Sequence, residues 1–586
     1  MIGNVIEIGK NNVVVKISLK EDQIKSIINY HVAFDMDGGV VIGEIVSINK
    51  DTANINLLGE IVNNKFIPGV TRKPFYASVC RVITSAELPI VVGNAVDKKN
   101  IYIGRLMQYN GYQVHTDIND LFSSHFAILG NTGSGKSHGL ARIIQNLFND
   151  PNNCPRKSNF FLFDAYGEYN QAFKNLNIDG KPSLKVYNTK ITEFEDANTE
   201  LLKIPLWLLD VDDYALLLGV EKNTQLPIIE KALKLVSIFS RSEDEIITYK
   251  NDIIARALVE ILYCGGSASQ IRDQIFAVLS SFSTSDLNLD SKVVVPGWTR
   301  TLRQCLIIDK DGKIPDIQLV IEFISSYIKE GLELKLPDGT YPYTLEDLNH
   351  AFDFALIGEG VLKSDKVYDE NHILKVRLQT LINSDYSKYF EIDKYVTESE
   401  YIKSLVTSKT GEKVQIIDFN ISYVDDRFAK VLVKIISKLL FNYSLALENR
   451  SSFPVHIMLE EAHRYVQNDN DINILGYNIF ERITKEGRKY GVILGMISQR
   501  PSEISETAMS QCNNLLVFRM QHPKDLNYIR EMVPNVTEEL VSKFKLLQPG
   551  NCIAFGSAFK MPLQLKLDMP DPTPLSQNID MSTCWY

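Results

Sequence analysis

Gly130-Asn131-Thr132-Gly133-Ser134-Gly135-Lys136-Ser137 satisfies the spacing G-x-x-x-x-G-K-[ST], between the apolar run His125 to Leu129 and the helix-patterned Ser137 to Phe148. Glycines so placed let successive backbone N–H groups curl round an anion, and the helix that follows presents its positive end to it. The chemistry implied is binding of a nucleoside triphosphate with Mg²⁺. Lys136 would reach the β- and γ-phosphates and the Ser137 hydroxyl would hold the ion. The candidate nucleotide-binding residues are Gly130, Asn131, Thr132, Gly133, Ser134, Gly135, Lys136, Ser137 and His138. A ligand-free glycine turn between strand and helix is the competing explanation, and the correct flanks weigh against it.

Hydrolysis requires a metal-linked carboxylate and a group that orients water, both at the carboxyl ends of neighbouring strands. Glu460-Glu461 ends the apolar run Val455 to Leu459. There Glu460 would hold Mg²⁺ through its water shell and Glu461 would act as general base. Acids opening a helix also suit its dipole, but that preference gives no reason for adjacent acids directly after a buried strand. Gln499, in Ile497-Ser498-Gln499-Arg500-Pro501, would sense the γ-phosphate or position water, since an amide both donates and accepts; an ordinary polar loop stopped by Pro501 is the alternative. Arg488, in Glu486-Gly487-Arg488-Lys489-Tyr490-Gly491, suits an arginine finger reaching a neighbour's phosphate. A basic helix terminus with a glycine cap explains the same residues, and Arg519 is a rival finger. Asp164-Ala165-Tyr166-Gly167-Glu168-Tyr169 puts two acids after a second buried strand, as a structural turn or a coupling element. His463 lies near the proposed base, but nine histidines show no H-E-x-x-H spacing, which argues against a metal centre of that type. Lys409-Thr410-Gly411 matches a β-lactamase tripeptide without its companion motifs, a match that chance explains.

The elements that must position these residues follow from patterning. At 586 residues, 45% of them hydrophobic, the chain is too long for one core. Short strands separated by turns, such as Asn12 to Ser18, Val40 to Val46 and Ala53 to Gly59, predict a small β-barrel over residues 1–95. The grammar then changes to strand, loop, helix, an α/β core, over 96–200 and again over 381–565. The strand runs there include Asn159 to Asp164, Val414 to Phe419, Val455 to Glu460, Val492 to Ser498 and Leu515 to Arg519, forming a parallel sheet. Residues 201–380 show apolar positions three and four apart, as in Gln225 to Val236 and Ile253 to Leu262, predicting a helical insertion domain. Residues 566–586 form a Pro-rich tail.

No apolar run approaches the roughly twenty residues of a membrane helix, and Met1 to Lys20 alternates rather than building a signal peptide, so a cytoplasmic protein without membrane contact is expected. The seven cysteines are scattered without a C-x-x-C pair, indicating neither disulfide framework nor zinc knuckle. A formal charge of −10 excludes a generally basic surface, but not a local ring of Lys and Arg gripping a polyanion.

Taken together, a β-barrel followed by G-N-T-G-S-G-K-S, D-A-Y-G-E-Y, I-I-D-F, L-E-E-A-H, E-G-R-K-Y-G and S-Q-R-P-S-E resembles the HerA group of the HerA/FtsK ATPases over nearly the whole chain. The resemblance implies a RecA-like P-loop ATPase core, a barrel similar to that of ATP-synthase subunits, and a homohexameric ring that translocates double-stranded DNA. Under it Lys136 and Ser137 serve phosphate and magnesium, Glu460 and Glu461 are Walker B and base, Gln499 is the sensor and Arg488 the finger from the adjacent subunit. Glu460 stands where many P-loop enzymes have Asp, although the double glutamate is itself HerA-like. Such proteins commonly work with an effector, a nuclease or a sirtuin-like NADase, in DNA processing or antiphage defence. An ATP-gated scaffold that activates an effector without processive movement would use the same pocket.

Overall fold

Alternating apolar and polar residues bury every second side chain of a strand, and that pattern builds the first module. The computed structural model describes residues 1–586 except 19–26, 94–98, 110, 151–152, 193, 195, 197, 240–243, 296, 332–340, 359–364, 393, 533–535, 537, 577–580 and 586. Strands β1 (Gly3–Ile8), β2 (Asn12–Ile17), β3 (His31–Met36), β4 (Gly39–Asn49), β5 (Thr52–Val62), β6 (Lys65–Pro68) and β7 (Val79–Val82) come first. The pairing order β2-β1-β7-β3-β4-β5, with β5 returning to β2, closes a six-stranded barrel; β6 is appended to β5. Closure removes exposed strand edges. Val5, Val13, Val15, Val32, Phe34, Val41, Ile45 and Ile55 fill the interior.

The core begins with β8 (Asn100–Leu106), β9 (Tyr112–Asp117), β10 (Phe126–Leu129) and β11 (Asn159–Asp164). A small hairpin, β12 (Asn177–Ile178) and β13 (Lys181–Pro182), precedes β14 (Leu184–Asn188) and β15 (Thr199–Leu201). The chain divides into two units, one comprising 1–201, 401–472 and 477–586, the other 202–400 with 473–476. The second unit is chiefly helical, with helices such as Leu226–Phe239, Asp244–Tyr263, Ala268–Phe282 and Leu345–Gly358 and one hairpin, β16 (Lys292–Val295) and β17 (Trp298–Thr301). Within it Ser267 caps the Ala268 helix in a reciprocal box with Gln270, and Phe282 meets Phe354 edge to face at 5.1 Å.

The first unit resumes with β18 (Ile416–Asn420), β19 (Val455–Leu459), β20 (Val492–Ser498), β21 (Asn514–Phe518), β22 (Asn551–Gly556) and β23 (Phe559–Lys566). They join one sheet in the order β15-β14-β18-β11-β19-β20-β10-β21-β22-β23-β8-β9. The eight strands from β15 to β21 are parallel, which requires crossovers such as helices Lys136–Asn149 and Asp426–Ala446. Every residue of β10, β11, β19, β20 and β21 is buried, as expected where helices cover both faces.

The sheet is larger than the parallel runs read from the sequence. β22, β23, β8 and β9 extend it antiparallel, with short turns joining β22 to β23 and β8 to β9. On the other flank β14 escapes apolar-run reading because Lys185 sits inside it. That lysine is buried, and its ammonium donates to the carbonyls of Ser404 (3.2 Å) and Thr407 (2.9 Å) while pairing with Glu200 at 3.2 Å. Among the described residues no helix is long and apolar enough to cross a membrane, and all seven cysteines are free.

Candidate nucleotide site

The phosphate-loop sequence leaves β10, which lies between β20 and β21, so both neighbours hold it. The Gly130 N–H donates to the Ser498 carbonyl (3.2 Å) and the Asn131 N–H to that of Arg519 (2.9 Å). Two glycines are dictated by this packing. Gly135 has φ +106°, and a Cβ there would lie 3.0 Å from the Gly550 nitrogen; a Cβ on Gly139, inside the helix, would lie 2.7 Å from Phe518 Cζ. The Lys136 ammonium donates to the Asn131 carbonyl at 3.1 Å, folded over its own loop. Burial weakens its hold on the proton, and Glu461, Glu460 and Glu168 oppose that effect.

Glu460 and Glu461 follow β19, two strands from β10 with β20 between them. Glu460 is buried and accepts from the Ala165 N–H at 3.1 Å. Its carboxyl is pushed well above the usual range by burial and then by the charge of Asp164, to which it is hydrogen-bonded. Asp164 accepts the N–H groups of Tyr166 (3.2 Å), Gly167 (2.8 Å) and Tyr169 (2.8 Å). The D-A-Y-G-E-Y run is thus a turn wound around its first carboxylate, which places Glu168 on the cleft. Glu168 is raised by burial and by Asp164, and a hydrogen bond from the Ser137 hydroxyl draws it back.

Glu461 has φ +49° and ψ +47°, a left-handed conformation that costs a side-chain-bearing residue about 1–2 kcal/mol. The twist turns two successive glutamates into one cleft, where strand alternation would have separated them. One Glu461 oxygen is buried without a hydrogen-bond partner, and His463 Nδ1 lies 3.3 Å from it. Burial raises this carboxyl, while Lys136 and Arg464 draw it part of the way back. His463 Nδ1 also lies 3.1 Å from the Ser498 hydroxyl, in keeping with a positioning contact.

Gln499 leaves β20 beside the loop, its Oε1 accepting from the Thr132 hydroxyl at 2.5 Å. Arg488 stands at the opposite edge, in the turn Gly487–Tyr490 before β20, exposed, its charge acting on His125 at the start of β10. Gly491 closes that turn at φ +76°, so the glycine-capped basic terminus is present whatever Arg488 does. Arg519, at the end of β21, is half-buried with an unpartnered Nε. Lys409-Thr410-Gly411 forms a hairpin turn closed by the Gly411 N–H to the Ser408 carbonyl at 3.0 Å.

The cleft thus formed measures about 500 Å³ and is lined by Thr132, Gly133, Gly135, Lys136, Ser137, His138, Glu168, Glu460 and Glu461. Its walls also include Tyr166, from the D-A-Y-G-E-Y run, and Pro549, Gly550, Met569, Leu575 and Ser576, which motif reading did not single out. Asp418 was likewise missed. It is fully buried on β18 with neither oxygen hydrogen-bonded among the described residues, and burial and Asp164 push its carboxyl far up. Only the phrase I-I-D-F signalled it.

A parallel sheet whose central strand opens into a glycine-rich loop and a lysine-headed helix, with paired acids two strands away, defines a P-loop ATPase. Residues 101–440, more than half of the chain, match the family described as helicase HerA, central domain. The chain belongs to the HerA family. It is 23% identical over 532 residues to the DNA double-strand break repair helicase HerA of Pyrococcus furiosus, covering 90% of this chain and 79% of that one. A probable helicase of that description from Methanocaldococcus jannaschii is 24% identical, covering 95% and 93%. The Saccharolobus solfataricus protein is 26% identical, covering 91% and 80%. Among solved structures, VirB4 of Thermoanaerobacter pseudethanolicus aligns with a TM-score of 0.44 at 14% identity, over 81% of this chain and 97% of that one.

Proposed function

We propose that the chain is a motor. Six copies form a head-to-tail ring in the cytoplasm, hydrolyse ATP at their seams and move along double-stranded DNA. The ring serves an effector enzyme, a nuclease or a sirtuin-like NADase, in DNA processing or antiphage defence. The domains act in the order barrel (1–95), core (96–200), helical insertion (201–380), core (381–565) and tail (566–586). The observation that carries the reading is the gathering of Lys136, Ser137, Glu460, Glu461 and Gln499 about one cleft while Arg488 stands on the far edge of the sheet. The relatives named as DNA break-repair helicases support the choice of DNA.

In this reading the loop N–H groups and Lys136 bind the β- and γ-phosphates, and Glu461 accepts the proton of the attacking water. Gln499, tethered through Thr132, holds that water or reads the γ-phosphate. Ser137 and Glu460 would hold Mg²⁺, which when bound neutralises charge on the phosphate oxygens. Two protein oxygens suit this ion, because it keeps waters and takes the rest of its shell from phosphates.

The test is ATP turnover with and without duplex DNA, paired with displacement of a third strand from a triplex. Wild type turns over ATP and displaces the strand, and Lys136→Ala does neither. Turnover without displacement would replace the motor with an ATP-gated scaffold, and unchanged turnover in Lys136→Ala would remove the site.

A further inference from the structure

We infer that residues 567–576, the segment beyond β23, form the wall of the cleft that receives the nucleobase, with Met569 and Leu575 as its apolar contacts. The inference rests on the reading of the cleft as an ATP site and concerns the part of the nucleotide that the phosphate loop does not touch.

The segment is held by hydrogen bonds along its length. The Leu567 N–H donates to the Gly550 carbonyl at 3.1 Å, and Arg142 donates to the Met569 carbonyl at 3.3 Å. Gln145, fully buried in the phosphate-loop helix, clasps the bend: its Oε1 accepts the Asp571 N–H (2.9 Å) and its amide donates to the Pro572 carbonyl (2.9 Å). The returning leg is fixed where the Leu575 N–H donates to the Glu168 carbonyl at 2.9 Å and the Ser576 hydroxyl meets His138 Nδ1 at 3.3 Å. Pro570 and Pro574 are buried.

A segment held this firmly would ordinarily turn its large apolar side chains inward. Met569 instead remains 64% exposed and Leu575 59% exposed, one on each leg, and both line the cleft. The rest of the cleft lining is largely polar, with Lys136, Ser137 and the glutamates. A nucleoside triphosphate has that same division, a charged tail and a flat apolar ring, and binding sites match it with apolar walls and a few polar groups. Aliphatic side chains grip ring faces without reading their edges, so the wall favours a nucleobase over no base.

The experiment compares equilibrium binding of ATP and of inorganic tripolyphosphate, each with Mg²⁺, to the full chain. Met569→Ser and Leu575→Ser are expected to weaken ATP about tenfold each, the factor that loss of one substantial apolar contact brings. Tripolyphosphate binding is expected to stay at the wild-type value, and Leu575→Met to restore ATP binding. Because both side chains are largely exposed, neither serine endangers folding. Unchanged ATP binding would overturn the inference. So would a parallel loss of ATP and tripolyphosphate, which would make the segment a brace for the phosphate loop. Lys136→Ala should weaken both ligands; if it weakens neither, the ATP-site reading fails, whatever the serine variants show.

Discussion

Arg488 precedes β20 and Gln499 follows it, so seven extended residues, about 20 Å at the usual rise, separate the arginine from its own phosphate loop. Its charge acts on His125, before β10, so the guanidinium lies near the amino end of the strands. One arginine side chain does not span the distance, so a finger role requires a second copy whose cleft faces this edge, as a head-to-tail ring provides. Two inactive variants, each broken in a different half of the composite site, should then rescue one another. Arg488→Ala alone is expected to lower turnover about 10³-fold or more, the usual worth of an arginine finger, and Lys136→Ala to abolish it. In a random equal mixture a working seam needs the cleft of an Arg488→Ala copy and the arginine of a Lys136→Ala copy. Independent seams in a heterologous ring meet that condition about one time in four. Phosphate release measured across mixing ratios should therefore trace an arch, highest at equal parts, near a quarter of wild type. A flat line at the background of the separate variants, with mixed assemblies verified by mass, would refute the reasoning. Full turnover by Arg488→Ala would refute it as well.

Glu461→Gln should keep ATP bound and slow its cleavage about 10²–10⁴-fold, the range of a lost general base; product formation at the wild-type rate would reject that role. Thermal unfolding should become easier as pH falls from 6.5 toward 4. Burial lowers His31, His125 and His456 from 6.5 to about 4, so the unfolded chain binds more protons in that window and stability present above it is lost on acidification. Replacing His456 with Phe should flatten the dependence of Tm on pH. Gly139→Val should destabilise the fold by about 1–3 kcal/mol, since the new side chain would meet Phe518 and Leu567; denaturant midpoints equal to wild type would show that the helix shifts freely.

What was legible in the residues is what the backbone enforces locally. The phosphate loop must combine left-handed positions with close approach to neighbouring strands, and Gly135 satisfies both, so the loop declares itself through residue types. β11, β19 and β20 declare themselves as largely apolar runs, β19 broken only by His456, because both of their faces are covered. β14 was hidden by Lys185, whose charge is satisfied by carbonyls more than two hundred residues away, at Ser404 and Thr407. Glu460-Glu461 was readable as a pair of acids, but the left-handed turn that aims both at one cleft was not, because nothing in the residue type glutamate announces a positive φ.

The same division explains the tail. Its prolines say that Asp568 to Pro574 continues neither helix nor sheet, and the segment is indeed neither. What holds it is Gln145, a residue that reads from sequence as one polar position in an amphipathic helix. A buried amide with three hydrogen bonds, two of them to this segment and one to the Ala172 carbonyl, cannot lose its partners without leaving polar groups unsatisfied. The packing of the tail against the phosphate-loop helix is therefore specified from the helix side, by Gln145 together with Arg142 and His138. The loop and the wall beside it share a single support, the helix Lys136–Asn149, whose first residue folds over the loop and whose third turn clasps the tail.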